Sequence, residues 1–220
     1  MKKPSIKKLH IHKPEGITLR WLINIIGVVA LFFIIVFIIS VSALKSHYYA
    51  NVESILSSGA STTAVSYFTN NLEAGNSLEQ SAAEFIDSYS YKDKTTTWII
   101  DSDGEVILSS SGFAIEKQNM PDYTQALTNE KEVGKFVGRL DTGEKVMAIC
   151  RIIKNPQGDI AGAVRVMASL KQVDAQIFNL IFLILIGLIV VFVIIILSNL
   201  FFIRSIIIPV KEINETTKKI

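Results

Sequence analysis

Cysteine is nearly absent. Cys150 is the only one in 220 residues, so no disulfide forms within the chain and no multi-cysteine metal site can be assembled. It falls in an alternating strand pattern, where a lone thiol reads as a small core residue. Charge is missing from two long stretches, Trp21–Leu44 and Phe178–Ile203. A bilayer core about 30 Å thick needs roughly 20 apolar residues as helix, so each stretch is long enough to cross one. In lipid such a segment has to be helical, because nothing there pairs with free backbone N–H and C=O groups. Aromatics are missing from the basic N-terminus (Lys2, Lys3, Lys7, Lys8, Lys13, Arg20), which argues against nucleic-acid binding and for attraction to anionic lipid.

What is present divides the chain into five parts: a basic N-terminus (1–20), a first span (21–44), a central domain (45–177), a second span (178–203) and a C-terminal tail (204–220). The first run is too long for the short apolar core of a cleaved signal peptide and reads as an uncleaved anchor. Trp21, Tyr48 and Tyr49 stand at its two ends, where interfacial aromatics collect. Both ends of the chain are basic and the centre is acidic on balance. The positive-inside rule then predicts a multi-pass cell-membrane protein with both termini cytoplasmic and residues 45–177 extracellular.

The centre, about 130 residues, has the composition of one globular domain. Helical spacing continues from Lys45 through Val52, Ile55, Leu56, Val65, Phe68 and Leu72. The small residues Gly59–Ala64 interrupt it, marking either a weak spot in the helix or a close-packing surface against a second helix. Ser77-Leu78-Glu79-Gln80 has the form of a capping box and opens a short amphipathic helix to about Ser90. Thr95–Ile100 and Glu105–Ser109 flank Asp101-Ser102-Asp103-Gly104, a hairpin with an Asp-Gly turn. Its carboxylates lack the further acidic ligands of a calcium loop. Ser110–Asn119 is a loop, and Pro121–Leu127 a short helix with proline in its first turn. Strands follow at Lys135–Leu140, Glu144–Ile153 and Ile160–Met167, with a β-turn at Asn155–Gly158. The expected fold is α+β: a five-stranded antiparallel sheet, a long N-terminal helix, helices gathered at one end, and a transmembrane helix on either side.

After Arg204 the tail carries Pro209 and then Val210, Ile213, Thr217 and Ile220 at helical spacing. This predicts a kink and then an amphipathic helix in need of a partner.

Taken together, the two spans, the hairpin Asp101–Ser110, the meander segments Thr142–Ala148 and Gly158–Arg165, and the tail Arg204–Ile220 resemble the sensory half of bacterial sensor histidine kinases of Gram-positive type. The resemblance implies a PAS-like, Cache-type sensor outside and the first helix of a HAMP linker inside. Pro209 would be the HAMP proline, and Val210, Ile213, Thr217 and Ile220 the packing positions that transmit the signal. It also implies a homodimer, and a response regulator reached through a C-terminal kinase region. The HAMP connector, its second helix, the phosphoacceptor helix and the ATP lid do not occur here. His10, His12 and His47 are the only histidines, none follows a HAMP helix, and this chain carries no catalytic domain. The front half of a chemotaxis receptor or cyclic-dinucleotide enzyme, or a two-span membrane-anchored binding module, stay open as alternatives.

No pattern for a cofactor or a metal is present. For an extracellular stimulus or small ligand, the charged meander side chains are Arg139, Arg151 and Arg165, and an inward-facing arginine can hold a carboxylate or other anion. With the turn at Asn155–Gly158, Arg151 and Arg165 fall on opposite faces, so at most one points inward; solvent is the ordinary place for each. Tyr123 and Ser109–Gly112 are candidates for the lining of a pocket between sheet and loop.

Overall fold

The computed structural model describes residues 16–88, 95–111 and 119–207. They fall into two units: a helical unit up to Ser42 and from Leu180 onward, and a sheet domain, Ala43–Asn179.

In the helical unit run the apolar parts of α1 (Gly16–Gly59) and α5 (Lys171–Phe202), both long and apolar enough to cross a membrane. Their side chains point outward all round; Ile23, Phe32, Ile38, Phe178, Leu183 and Phe201 are all exposed. A helix that is apolar on every side needs a lipid-like surrounding. The rings of Phe33 and Phe192 meet edge to face at 6.0 Å. A π-helical turn, Ile203–Ile207, follows α5. Pro209, Val210, Ile213, Thr217 and Ile220 lie outside the described residues.

The sheet domain begins with the outer part of α1, which ends at Gly59. Ala60 and Ser61 separate it from α2 (Thr62–Glu73), whose first turn is capped by the Ser61 hydroxyl accepting from Ala64 N at 3.3 Å. The small-residue run is therefore a break in the helix. Ala60 is nevertheless buried, packed with Leu56 and Phe68. In α3 (Leu78–Ser88) the Ser77 hydroxyl accepts from Gln80 N at 3.1 Å, as the capping-box reading requires.

The five strands are β1 (Thr96–Asp101), β2 (Val106–Ser109), β3 (Val133–Arg139), β4 (Lys145–Lys154) and β5 (Ile160–Ser169), with α4 (Pro121–Thr128) between β2 and β3. All neighbours are antiparallel, in the order β2-β1-β5-β4-β3. The hairpin turn is tied by Asp101, whose Oδ1 accepts from Asp103 N (2.9 Å) and Glu105 N (2.8 Å), while Gly104 takes a φ of +82°. The hairpin joins the meander through β1 and β5, from Thr96 opposite Met167 to Asp101 opposite Gly162.

Contrary to the expectation of helices at one end, they cover both faces of the sheet. α1, α2 and α3 supply Leu56, Phe68 and Ala82 to a core with Ile99, Met147, Ile149, Ile153, Val164 and Val166. α4 covers the other face, where Ala126 packs with Ile100, Cys150, Ile152 and Ala163. With both faces covered, β4 and β5 are buried along nearly their whole length rather than in alternation.

Candidate functional site

The central strand β5 carries one charged residue on the α4 face, Arg165, between Ala163 and Met167. It is fully buried, 0% exposed, as is its partner Asp122 in the first turn of α4. Arg165 Nε donates to Asp122 Oδ2 at 2.7 Å and Nη2 to Oδ1 at 2.9 Å, a fork-to-carboxylate pair. Trp98 stands opposite Arg165 on β1, and the guanidinium carbon lies 4.9 Å from its ring centroid. The ordinary solvent position for a meander arginine is thus overturned at Arg165. A bidentate carboxylate and an aromatic face together offset the cost of taking the cation out of water. Two buried donors in this group, Arg165 Nη1 and Trp98 Nε1, have no hydrogen-bond partner. Buried donors are rarely left so, and a site with unmet donors is one that can accept an anion or carbonyl oxygen.

Cys150 is the β4 neighbour of Arg165 on the same face and is buried. Burial pushes its thiol well up, with the Asp122 carboxylate adding, so it stays protonated and unreactive. Tyr123 follows Asp122 on α4 and packs with Ile100 and Cys150. Its phenol is pushed up by burial first, and the carboxylates of Asp101 and Asp103 add to this. Its ring lies against the hairpin turn: a Cβ on Gly104 would meet Tyr123 Cε1 at 3.2 Å.

Arg151 faces the other way. It stands opposite Val164, on the face covered by α1 and α2, and its Nε donates to the Ala60 carbonyl at 2.8 Å. That carbonyl lies at the end of α1, where helical partners run out, so Arg151 fastens the α1–α2 break.

A cleft of ≈ 280 Å³ opens farther along the α4 face, lined by Thr96, Ser110, Ser111, Val146, Met167 and Ser169 among others. Met167 is the next residue after Arg165 on that face of β5. Arg165 and Trp98 do not line the cleft.

A second cluster lies where the domain's outermost helices meet the sheet. Lys145 Nζ donates to Asp174 Oδ2 and to Tyr49 Oη, each at 2.6 Å, and Tyr49 Oη donates to Asp174 Oδ1 at 2.8 Å. The hydrogen bonds to Asp174 and then Tyr49 hold the Lys145 ammonium above its usual range. At Asp174, burial pushes the carboxyl up, but the hydrogen bonds from Lys145 and Tyr49 outweigh it and hold it below the usual carboxylate range. Lys145 and Asp174 therefore both stay charged throughout the neutral pH range.

Solved structures to which the chain is similar include two ligand-binding domains and one periplasmic domain. The chain has 13% identity and a TM-score of 0.45 to the ligand-binding domain of the Pseudomonas fluorescens chemoreceptor CtaA in complex with L-isoleucine, over 72% of this chain and 63% of that one. With the ligand-binding domain of Mlp24 with asparagine the values are 17% and 0.46, over 74% and 64%. With the periplasmic domain of Vibrio cholerae LuxQ they are 13% and 0.40, over 60% and 63%. The chain spans less than two thirds of each of these. No family model matches it, and no curated protein matches it in sequence.

Of the residues singled out from sequence, Arg165 lies on the α4 face of the sheet, Tyr123 on α4 against the hairpin turn, and Arg151 on the opposite face of the sheet. Ser109 and Ser111 share a hydroxyl–hydroxyl hydrogen bond of 2.7 Å at the end of β2, and Gly112 lies outside the described residues. Sequence reading passed over Asp122 and Trp98. One signal pointed to a missing partner: an arginine flanked by Ala163 and Met167 on one strand face needs a carboxylate if that face is covered. Nothing in the sequence said which acidic residue would supply it.

Proposed function

We propose that the chain is the sensing and transmembrane-transmission part of a signalling receptor: a small ligand or other stimulus acts on the sheet domain outside the cell, and α5 carries the change across the membrane. One observation carries this reading. The sheet domain starts and finishes with the two helices that bear the apolar runs: α1 continues unbroken into the core, and only Leu170 separates β5 from α5. A change in the domain must therefore act on one helix relative to the other. In the finer form, the chain is the front of a two-component sensor histidine kinase. It is homodimeric, with cytoplasmic termini, a HAMP helix starting near Pro209, and a response regulator as its eventual target.

The transmitter reading is tested by single cysteines placed along Val210–Ile220 in membranes, with Cys150 replaced by serine. Disulfide crosslinks should peak every three to four residues, as paired parallel helices require. A flat profile removes the linker and, with it, the kinase form of the proposal.

The ligand part rests on the buried donors Arg165 Nη1 and Trp98 Nε1, and calls for a small carboxylate or similar anion. The full chain in lipid nanodiscs, screened with amino acids and short organic acids, should show a ligand that raises the melting temperature of the sheet domain. A compound at 100 times its Kd stabilises by about 2.7 kcal/mol. Arg165→Met should abolish the shift. A shift retained in that variant places the ligand elsewhere.

A further inference from the structure

The cluster of Tyr49, Lys145 and Asp174 joins three elements at one point. Tyr49 lies on α1, five residues beyond the apolar run that ends at Leu44. Lys145 opens β4. Asp174 lies in the first turn of α5, four residues before Phe178. The three polar groups close a ring, each bonded to the other two. The Lys145 ammonium also sits 5.4 Å from the centroid of the Tyr49 ring. Backbone bonds hold the same junction from beneath: Leu170 N donates to Lys145 O at 2.9 Å, and Asp174 N to Leu170 O at 2.8 Å. Lys145 is thus fixed to the root of α5 by its main chain, and reaches α1 only through its side chain.

Exposure decides what such a ring is for. The side chains of Lys145 and Asp174 are 33% and 38% exposed. Partly solvated ion pairs contribute little net stability, because water replaces the lost partner. The ring is therefore a poor stabiliser but an easily reversed connection. Its direction is specific, since three side chains must converge. It also has a mechanical link to the α4 face: Lys145 and Cys150 share β4, and Cys150 stands beside Arg165. A shift of β4 along or across the sheet carries Lys145 with it.

We propose that Tyr49, Lys145 and Asp174 form a releasable latch that sets the offset between α1 and α5, and that the sheet domain signals by closing or opening it. The latch rests on the receptor reading above. It deepens it by naming the contact through which a change in the sheet reaches the two helices.

The test uses the full chain in nanodiscs with Cys150 replaced by serine and nitroxide labels at His47 and Gln176, which are exposed on α1 and α5. Pulsed electron resonance reads the distance between them. With the latch intact a single narrow distribution is expected. Lys145→Met and Asp174→Asn should each widen it about twofold or add a second population, since a two-state contact then loses its bias. The exchanged pair, Lys145→Asp with Asp174→Lys, should narrow it again, whereas the melting temperature of the domain should hardly move in any variant. An unchanged distribution in both single variants overturns the latch, and so does a widening that the exchanged pair fails to reverse. Tail crosslinking is read at other residues, so loss of the latch leaves the receptor reading standing, and the reverse.

Discussion

Replacing Asp122 with alanine is expected to destabilise the sheet domain by about 3–5 kcal/mol, because it leaves a buried arginine without its carboxylate. Arg165 is fully buried, and Asp122 occupies two of its three guanidinium nitrogens. The remaining nitrogen, Nη1, already lacks a partner, so no neighbour stands ready to take over. For a domain of this size the loss corresponds to a fall in melting temperature on the order of 10–20 °C, measurable by circular dichroism of the full chain in micelles. The charge, not the shape, is the cause, and a second variant separates them. Asp122→Val combined with Arg165→Met removes both charges with little change in summed volume, and such replacements are often neutral or stabilising. The double variant should therefore melt well above Asp122→Ala. If the single variant melts with the parent, the pair is not holding α4 to the sheet.

A buried ion pair can cost far more to break than it contributes when whole. Under the proposed function, the role of this one lies in the unmet donors that Arg165 and Trp98 hold toward the α4 face. The site was half visible in the sequence. Alternation along Glu144–Ile153 and the turn at Asn155–Gly158 put Arg151 and Arg165 on opposite faces, as the register Cys150–Arg165 has it. What alternation does not tell is which face is covered and by what. That depends on β1 pairing with β5 across more than sixty residues of sequence, and on α4 folding over from between two strands. Both are long-range events with no local signature. The elements themselves were legible because their signals are local: the Asp-Gly turn, the serine caps, the proline at the start of α4 and the charge-free runs. The small-residue run at Gly59–Ala64 was legible as an anomaly and not as an outcome. Whether such a run breaks or packs depends on Arg151, ninety residues on, reaching the Ala60 carbonyl.

The position that brings Asp122 to Arg165 is a glycine on a different strand. Gly134 of β3 stands opposite Cys150, and α4 lies directly on it. A Cβ there would come 1.8 Å from the Asp122 carbonyl oxygen and 2.7 Å from Ala126 N. Both are backbone atoms of the helix, so no side-chain rotation relieves the clash. Gly134→Ala must push α4 away from the sheet, and the first thing that movement stretches is the bond from Asp122 to Arg165. The connection from α4 to β3 has little slack to absorb it. Glu132 is held at a φ of +56° between a bond to Asn129 O and one from Ile152 N, and Asn129 Nδ2 donates to Val133 O at 2.8 Å. The expected cost is about 3–5 kcal/mol, overpacking alone accounting for 1–3 and the broken ion pair for the remainder. Gly187→Ala is the control, since an added Cβ there meets nothing within 4 Å. The decisive measurement is the double-mutant cycle. If Gly134 acts through the ion pair, Asp122→Ala should cost much less in the Gly134→Ala background than in the parent, a coupling of about 1–3 kcal/mol. Additive losses would mean that the glycine serves only to pack α4, and that Asp122 finds Arg165 by some other constraint.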